Sequence, residues 1–144
     1  MSARAPALVP ELDVSDLPIS LSFYVDYVGF SVAYARDTDK FAYLVRGDVH
    51  LMLEEAEGPG RRFRTALLER PFGRGVNFQI RIEGVVELYQ KVLLSGRPLI
   101  VPLEERWYRR NQSEVGHHQF VVSDPDGYIL RFFEDLGSRP AMYE

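Results

Sequence analysis

The stretch from Gly116 to Glu134 reads G-H-H-Q-F-V-V-S-D-P-D-G-Y-I-L-R-F-F-E, and it limits the possible folds more than any other part of the chain. Pro125 presets φ, Asp124 and Asp126 can accept hydrogen bonds from nearby backbone, and Gly127 tolerates a positive φ, so a tight turn here joins two strands. Along the second arm, successive side chains alternate between faces. Tyr128, Leu130 and Phe132 make one face purely apolar, while Ile129, Arg131 and Phe133 place a charge in the middle of the other.

The remaining elements follow from periodicity. Leu8 to Val14 reads as a strand with Pro10, Leu12 and Val14 on one face and Val9, Glu11 and Asp13 on the other. Pro10 suits an edge strand or a strand start. Ser15 or Asp16 caps a helix with Pro18 in its first turn. Leu17, Leu21, Tyr24 and Val28 recur at helical spacing, and Gly29 sits at the C-terminal cap. Three strands follow, Phe30 to Arg36, Phe41 to Arg46 and Val49 to Glu55; the first alternates Phe30, Val32 and Tyr34 against small residues.

From Ala56 to Gly75 glycine, proline and arginine dissolve the pattern, with Thr65 to Glu69 as a candidate helical turn; this is the predicted linker. Val76 to Ile82 then sets Phe78, Ile80 and Ile82 opposite Asn77, Gln79 and Arg81. A second helix from Gly84 to Ser95 carries an apolar stripe of Val85, Leu88 and Val92, closed by Gly96, and Leu99 to Tyr108 forms a strand before the C-terminal hairpin. Strand, helix, three strands thus occurs twice, with Leu21, Val25 and Gly29 aligning over Leu88, Val92 and Gly96.

Composition narrows the function classes. At 144 residues the chain can bury a core without staples. The absence of cysteine removes disulfides, thiolate ligands and thiol nucleophiles, and fits a reducing compartment. No N-terminal apolar run resembles a signal peptide and no later segment approaches a membrane span, so a cytoplasmic location is expected, with no membrane partner. Arg61, Arg62, Arg64, Arg70 and Arg74 crowd one stretch, but the formal net charge of -4 and the lack of a reading motif weigh against nucleic acid. The arginine stretch reads as a solvated linker.

With these elements in order, the segments V-P-E-L-D-V-S-D-L, L-S-F-Y-V-D-Y-V-G-F-S-V, F-A-Y-L-V-R-G-D-V-H-L-M-L, I-R-I-E-G-V-V-E-L-Y and H-Q-F-V-V-S-D-P-D-G-Y resemble the bleomycin-resistance branch of the vicinal-oxygen-chelate superfamily, from about Leu8 to Asp135. The resemblance implies an α+β fold, two βαβββ modules whose curled mixed sheets form a cup-shaped cavity, the glyoxalase/bleomycin resistance fold. It sets module 1 at about 7–56, a linker at about 57–75 and module 2 at about 76–135 of one domain spanning the chain. It also implies a homodimer, and V-P-E-L around Pro10 has the form that accompanies exchange of the N-terminal strand between subunits.

In the superfamily's metalloenzymes, His and Glu fill positions that fall here on Val9, Met52, Asn77 and Arg131. Val9 and Met52 offer no hard ligand, Asn77 is a weak one, and the permanent cation of Arg131 repels a metal. No metal and no cofactor is therefore expected. A one-residue slip would bring in His50 or His118, but it would also turn apolar residues into the cavity.

On this alignment the inward faces carry Glu11, Asp13, His50, Glu54, Asn77, Gln79 and Arg131, with aromatic residues Tyr34, Phe41, Tyr43 and Trp107 nearby. A mainly acidic crevice with aromatic walls suits a cationic, planar-ended ligand. Similarity to the resistance proteins implies sequestration of a bleomycin-type glycopeptide, or a similar small molecule, without modification. Their stacking tryptophan falls here on Val115, with Trp107 and Tyr108 as substitutes nearby. The plainer alternative is a solvated groove in which charges pair with one another, Arg131 with Glu11 for example. An enzyme of the same fold is the other alternative, either a glyoxalase- or dioxygenase-like protein with relocated ligands or a metal-free isomerase using Glu11 or Glu54 as base. His117 and His118 read as strand packing or surface.

Overall fold

The computed structural model describes residues 4–141. Met1–Ala3, the start of the N-terminal stretch read above for a leader, lie outside the described residues. The chain divides into two compact units, one up to Glu69 and one from Arg70. No helix among the described residues is long and apolar enough to cross a membrane.

In the first unit β1 (Glu11–Val14), β2 (Ser31–Arg36), β3 (Phe41–Arg46) and β4 (Val49–Glu55) form a four-stranded mixed sheet in the order β1-β4-β3-β2. β1 runs parallel to β4 and the other pairs are antiparallel. The predicted alternation holds on β1 and β4. Leu12, Val14, Ala42, Leu44, Leu51 and Leu53 form the buried apolar face, each large side chain adding about 1.5–3 kcal/mol by leaving water.

The helix that covers this face departs from the expected stripe. α1 (Leu17–Leu21) is capped by Asp16, whose Oδ1 accepts from the Ile19 amide at 3.0 Å, but it then widens into a π-helical stretch, Ser22–Tyr27. There the Val28 amide donates to the Phe23 carbonyl, five residues back, at 3.0 Å. The wider turn rotates the buried side to Ser20, Phe23, Tyr24 and Val28 and leaves Leu17 and Leu21 half-buried. Gly29 ends the segment with φ +91°, as its cap position requires.

β2 also differs from its simple period of two. Val32 stands opposite Leu44, yet Tyr34 stands opposite Tyr43, with the register shifting between them. This β-bulge turns Tyr34 onto the face opposite to Val32.

The second unit repeats the plan with β5 (Asn77–Arg81), α2 (Val85–Leu93), β6 (Leu99–Arg110), β7 (Ser113–Ser123) and β8 (Ile129–Pro140), in the order β5-β8-β7-β6 and with β5 parallel to β8. Val85, Leu88 and Val92 of α2 are buried, as are Ile80, Phe120, Leu130 and Phe132 on the sheet. The hairpin turn is held by one carboxylate. Asp124 Oδ1 accepts from the amides of Asp126, Gly127 and Tyr128, each at 2.9 Å. Both modules are therefore βαβββ units, and the fold class is the α+β one expected.

Two boundaries move. β8 continues to Pro140, beyond the expected end of module 2 near Asp135, because its extension pairs with the start of β7 from Ser113 to Gly116. The predicted linker forms no helix or strand but is fastened at both ends. Its first part, up to Arg64, returns onto the first unit, and its last part packs on the second, where the Phe72 amide donates to the Asp126 carbonyl at 2.8 Å and the Phe72 ring meets Tyr128 edge-on. Thr65 to Glu69 forms no helical turn.

Candidate functional site

In each sheet the strand register determines which side chains stand on the face opposite its helix. In the first unit Glu11 pairs with Met52, Asp13 with Glu54, Tyr43 with Met52, Phe41 with Glu54 and Tyr34 with Tyr43. Cross-strand partners share a face. Seven of the predicted site residues, Glu11, Asp13, Tyr34, Phe41, Tyr43, His50 and Glu54, therefore lie on one surface. The bulge in β2 is what delivers Tyr34 to it.

That surface has an aromatic end and an acidic end. Tyr34 stacks on Tyr43 with ring centroids 5.0 Å apart and planes at 16°. Tyr43 Oη lies 2.8 Å from His50 Nδ1, and the Arg36 guanidinium sits 3.8 Å over the Phe41 ring. At the acidic end burial pushes the Glu11 carboxyl above the ordinary glutamate value of 4.5, helped by a hydrogen bond to Glu54 and by repulsion from Glu54 and Asp13, with Arg62 opposing.

Two arginines of the supposed linker join this end. Arg62 Nη1 is 2.8 Å from Glu54 Oε1 and its Nε is 3.1 Å from Asp13 Oδ1, while Arg64 Nε is 3.1 Å from Asp13 Oδ2. Arg62 also donates to the Glu55 carbonyl. In the same run Arg70 pairs with Asp126 at 3.0 Å, and Arg74 donates to the Pro71 and Arg70 carbonyls. Arg61, Arg64, Arg70 and Arg74 are exposed, as a solvated linker implies, and within the run Arg62, Arg64, Arg70 and Arg74 are also ion-paired or hydrogen-bonded. The sequence showed the arginine run but not which carboxylates each would find.

In the second unit Asn77, Gln79 and Arg131 share a face, and Arg131 Nη2 donates to Gln79 Oε1 at 2.7 Å. The same face holds a buried polar group that the sequence reading passed over. Gln119 Nε2 donates to Glu104 Oε2 at 2.8 Å and to Tyr108 Oη at 2.7 Å, and the His117 ring stacks on Phe133 at 3.9 Å. Burial holds the His117 imidazole below its ordinary value, with Arg131 adding to the effect and a hydrogen bond to Gln119 and the charge of Asp135 opposing it. Counting back from the Asp-Pro-Asp-Gly turn would have placed Gln119 beside Phe133 and Val121 beside Arg131.

Trp107 does not join that group. It pairs with Gly116 on the other face, its ring lying against Gly116, with the Arg139 guanidinium 3.9 Å over its ring. His118 is on this other face too, opposite Glu105 and Glu134. Of the positions that carry metal in the superfamily's enzymes, Met52, Asn77 and Arg131 occupy the polar faces and offer no set of hard donors. Among the described residues no three His, Asp or Glu side chains gather as a metal site.

Comparison with known proteins bears on the family and the fold. No protein-family model matches the chain. Over 141 residues the chain is 30% identical to a bleomycin resistance protein of Geobacillus stearothermophilus, covering 90% of this chain and 97% of the relative, and the same values hold for a bleomycin resistance protein of Staphylococcus aureus. Among solved structures, TioX from Micromonospora sp. ML1 superposes with a TM-score of 0.67 at 19% identity, over 92% of this chain and 100% of that one. A glyoxalase/bleomycin resistance protein/dioxygenase from Alicyclobacillus acidocaldarius gives 0.62 at 18% identity, over 94% and 96%. These two likenesses concern the fold alone. The sequence relationship to the resistance proteins, spanning nearly the whole of both chains, carries the assignment: this chain belongs to the bleomycin-resistance protein family.

Proposed function

We propose that this protein binds and sequesters a cationic, aromatic small molecule of the bleomycin type, without a metal and without modifying its ligand. The observation that carries the reading is the pairing, on one sheet face, of the stacked Tyr34 and Tyr43 with the carboxylates of Glu11, Asp13 and Glu54. Stacked phenols offer a planar platform to a heteroaromatic ring, and carboxylates beside it complement an amine or amidine. Membership of the resistance-protein family supports the choice of ligand. Asn77, Gln79 and Arg131 are proposed as polar contacts on the second sheet.

An isomerase using Glu54 as base is less supported, because the ion pair with Arg62 occupies its carboxylate. The proposed working form is a cytoplasmic homodimer, and exchange of β1 between subunits would reproduce the β1–β4 pairing in trans. Calorimetric titration of metal-free bleomycin, with metal content assayed on the same sample, tests the function. The expected result is saturable binding near micromolar or tighter, about 8 kcal/mol or more, with drug recovered intact and no stoichiometric metal. Turnover of the drug, or absence of binding, would discard the proposal.

A further inference from the structure

The segment from Gly58 to Arg64 lies as a strap over the acidic end of the first unit's open face. At Gly60 its backbone passes so close that a Cβ there would collide with the Glu54 carboxylate and the Arg62 guanidinium. Arg62 spans Asp13 and Glu54, and Arg64 holds Asp13 and donates to the Ala56 carbonyl at 2.6 Å. Between the two arginines Phe63 is 79% exposed, and just beyond them Leu67 is 93% exposed. The strap turns Arg62 and Arg64 inward, while Phe63 and the Arg61 guanidinium over its ring face water. Apolar burial therefore does little to hold it down; ion pairs and hydrogen bonds do. Salt screens these largely shielded pairs only weakly, but a ligand cation offering the same N–H donors can replace the Arg62 guanidinium without leaving Asp13 and Glu54 unpaired.

We infer that the strap is a displaceable cover, in which the Arg62 guanidinium occupies the place taken by the cationic group of the ligand. The inference rests on the proposed function and deepens it, naming the ligand group as a guanidinium, amidine or protonated amine able to give N–H donors to Asp13 and Glu54. The aromatic platform of Tyr34 and Tyr43 lies on the same face and receives the ring. A ligand must first find the carboxylates uncovered, so its apparent affinity is its intrinsic affinity reduced by the fraction of molecules with the strap open.

Two substitutions loosen the cover in different ways. Arg62→Gln removes the competing charge, and Gly60→Ala keeps that charge but places a methyl group against Glu54. Both variants are expected to bind metal-free bleomycin more tightly than the unsubstituted protein, by about tenfold if the strap is closed about nine-tenths of the time. Thermal melting identifies any variant that has lost its fold. Because the chain has no cysteine, Phe63→Cys accepts a single nitroxide label on the strap, and its spectrum is expected to sharpen as bleomycin saturates the protein. Unchanged or weaker binding by two folded variants, with binding by the unsubstituted protein intact, would overturn the cover alone. If the unsubstituted protein binds no bleomycin, the drug reading falls, and the label then decides the cover with spermine as the probe: sharpening retains it and an unchanged spectrum overturns it.

Discussion

Glu11 lies beside Glu54 and Asp13 at the edge of the first sheet, and this interacting group gives stability a pH dependence. Burial and the hydrogen bond to Glu54 raise its proton affinity in the folded protein. The folded state then holds the proton more tightly than the unfolded one, so the contribution to stability is full below pH 4.5 and is lost as pH rises through the folded value. Glu11→Gln keeps a neutral group at every pH. Its melting temperature should rise relative to the unsubstituted protein at pH 7 and match it near pH 4; equal shifts at both values would reject Glu11's contribution. Tyr43 offers a second test at this scale. Removing the stacked ring in Tyr43→Ala should weaken bleomycin binding by about 0.5–1.5 kcal/mol, up to roughly tenfold by calorimetry, while an unchanged affinity would place the ligand elsewhere.

Among the elements, the long strands β6, β7 and β8 show how a tertiary contact dictates a residue. Gly116 gives β7 a floor without a side chain, against which the Trp107 ring lies, and Arg139 closes the ring's other side while pairing with Glu114 at 2.9 Å. A Cβ on Gly116 would meet the ring carbons at 2.6 to 2.7 Å. Gly116→Ala should therefore cost about 1–3 kcal/mol through overpacking, read as a lower urea midpoint with an unchanged slope. No loss of stability would mean that the ring swings away freely. The start of α2 shows the same dependence. Gly84 carries no capping side chain, and Glu134 of β8 accepts from the Gly84 and Val85 amides at 2.7 and 3.0 Å instead. The cap sits 50 residues from the helix it serves, so no local motif could reveal it.

At the scale of the whole molecule, each unit places the first strand of its module beside the last, parallel, with two antiparallel strands beyond. This shared order carries the family resemblance better than identity between the two halves, which is thin. The homodimer proposed for the working form predicts a sedimentation mass near twice the 16.6 kDa of the chain at micromolar concentration, and a melting temperature that rises with concentration. A mass that stays monomeric across the range would remove the dimer and strand exchange together.

The sequence by itself determined the class and order of the elements, the alternating faces of β1, β4, β5 and β8, and the turn at Asp124 to Gly127. These features repeat at a period of two or near 3.6, or sit within four residues, so neighbouring residues suffice to encode them. Four of the seven first-unit site residues, Glu11, Asp13, His50 and Glu54, follow from that alternation, whereas Phe41 and Tyr43 were expected from the family resemblance and are placed on the same face by the strand register. Tyr34 reaches it only because a bulge breaks the period. The tertiary structure alone decided the π-helical widening of the first helix, the continuation of β8 to Pro140, the capping of α2 by Glu134, the burial of Gln119 with Glu104 and Tyr108, and the return of Arg62 to Asp13 and Glu54. Each of these depends on which group lies nearby in space. An arginine in a glycine-rich loop has the same local sequence whether it ends in water or on a carboxylate, and only the folded chain brings that carboxylate within 3 Å.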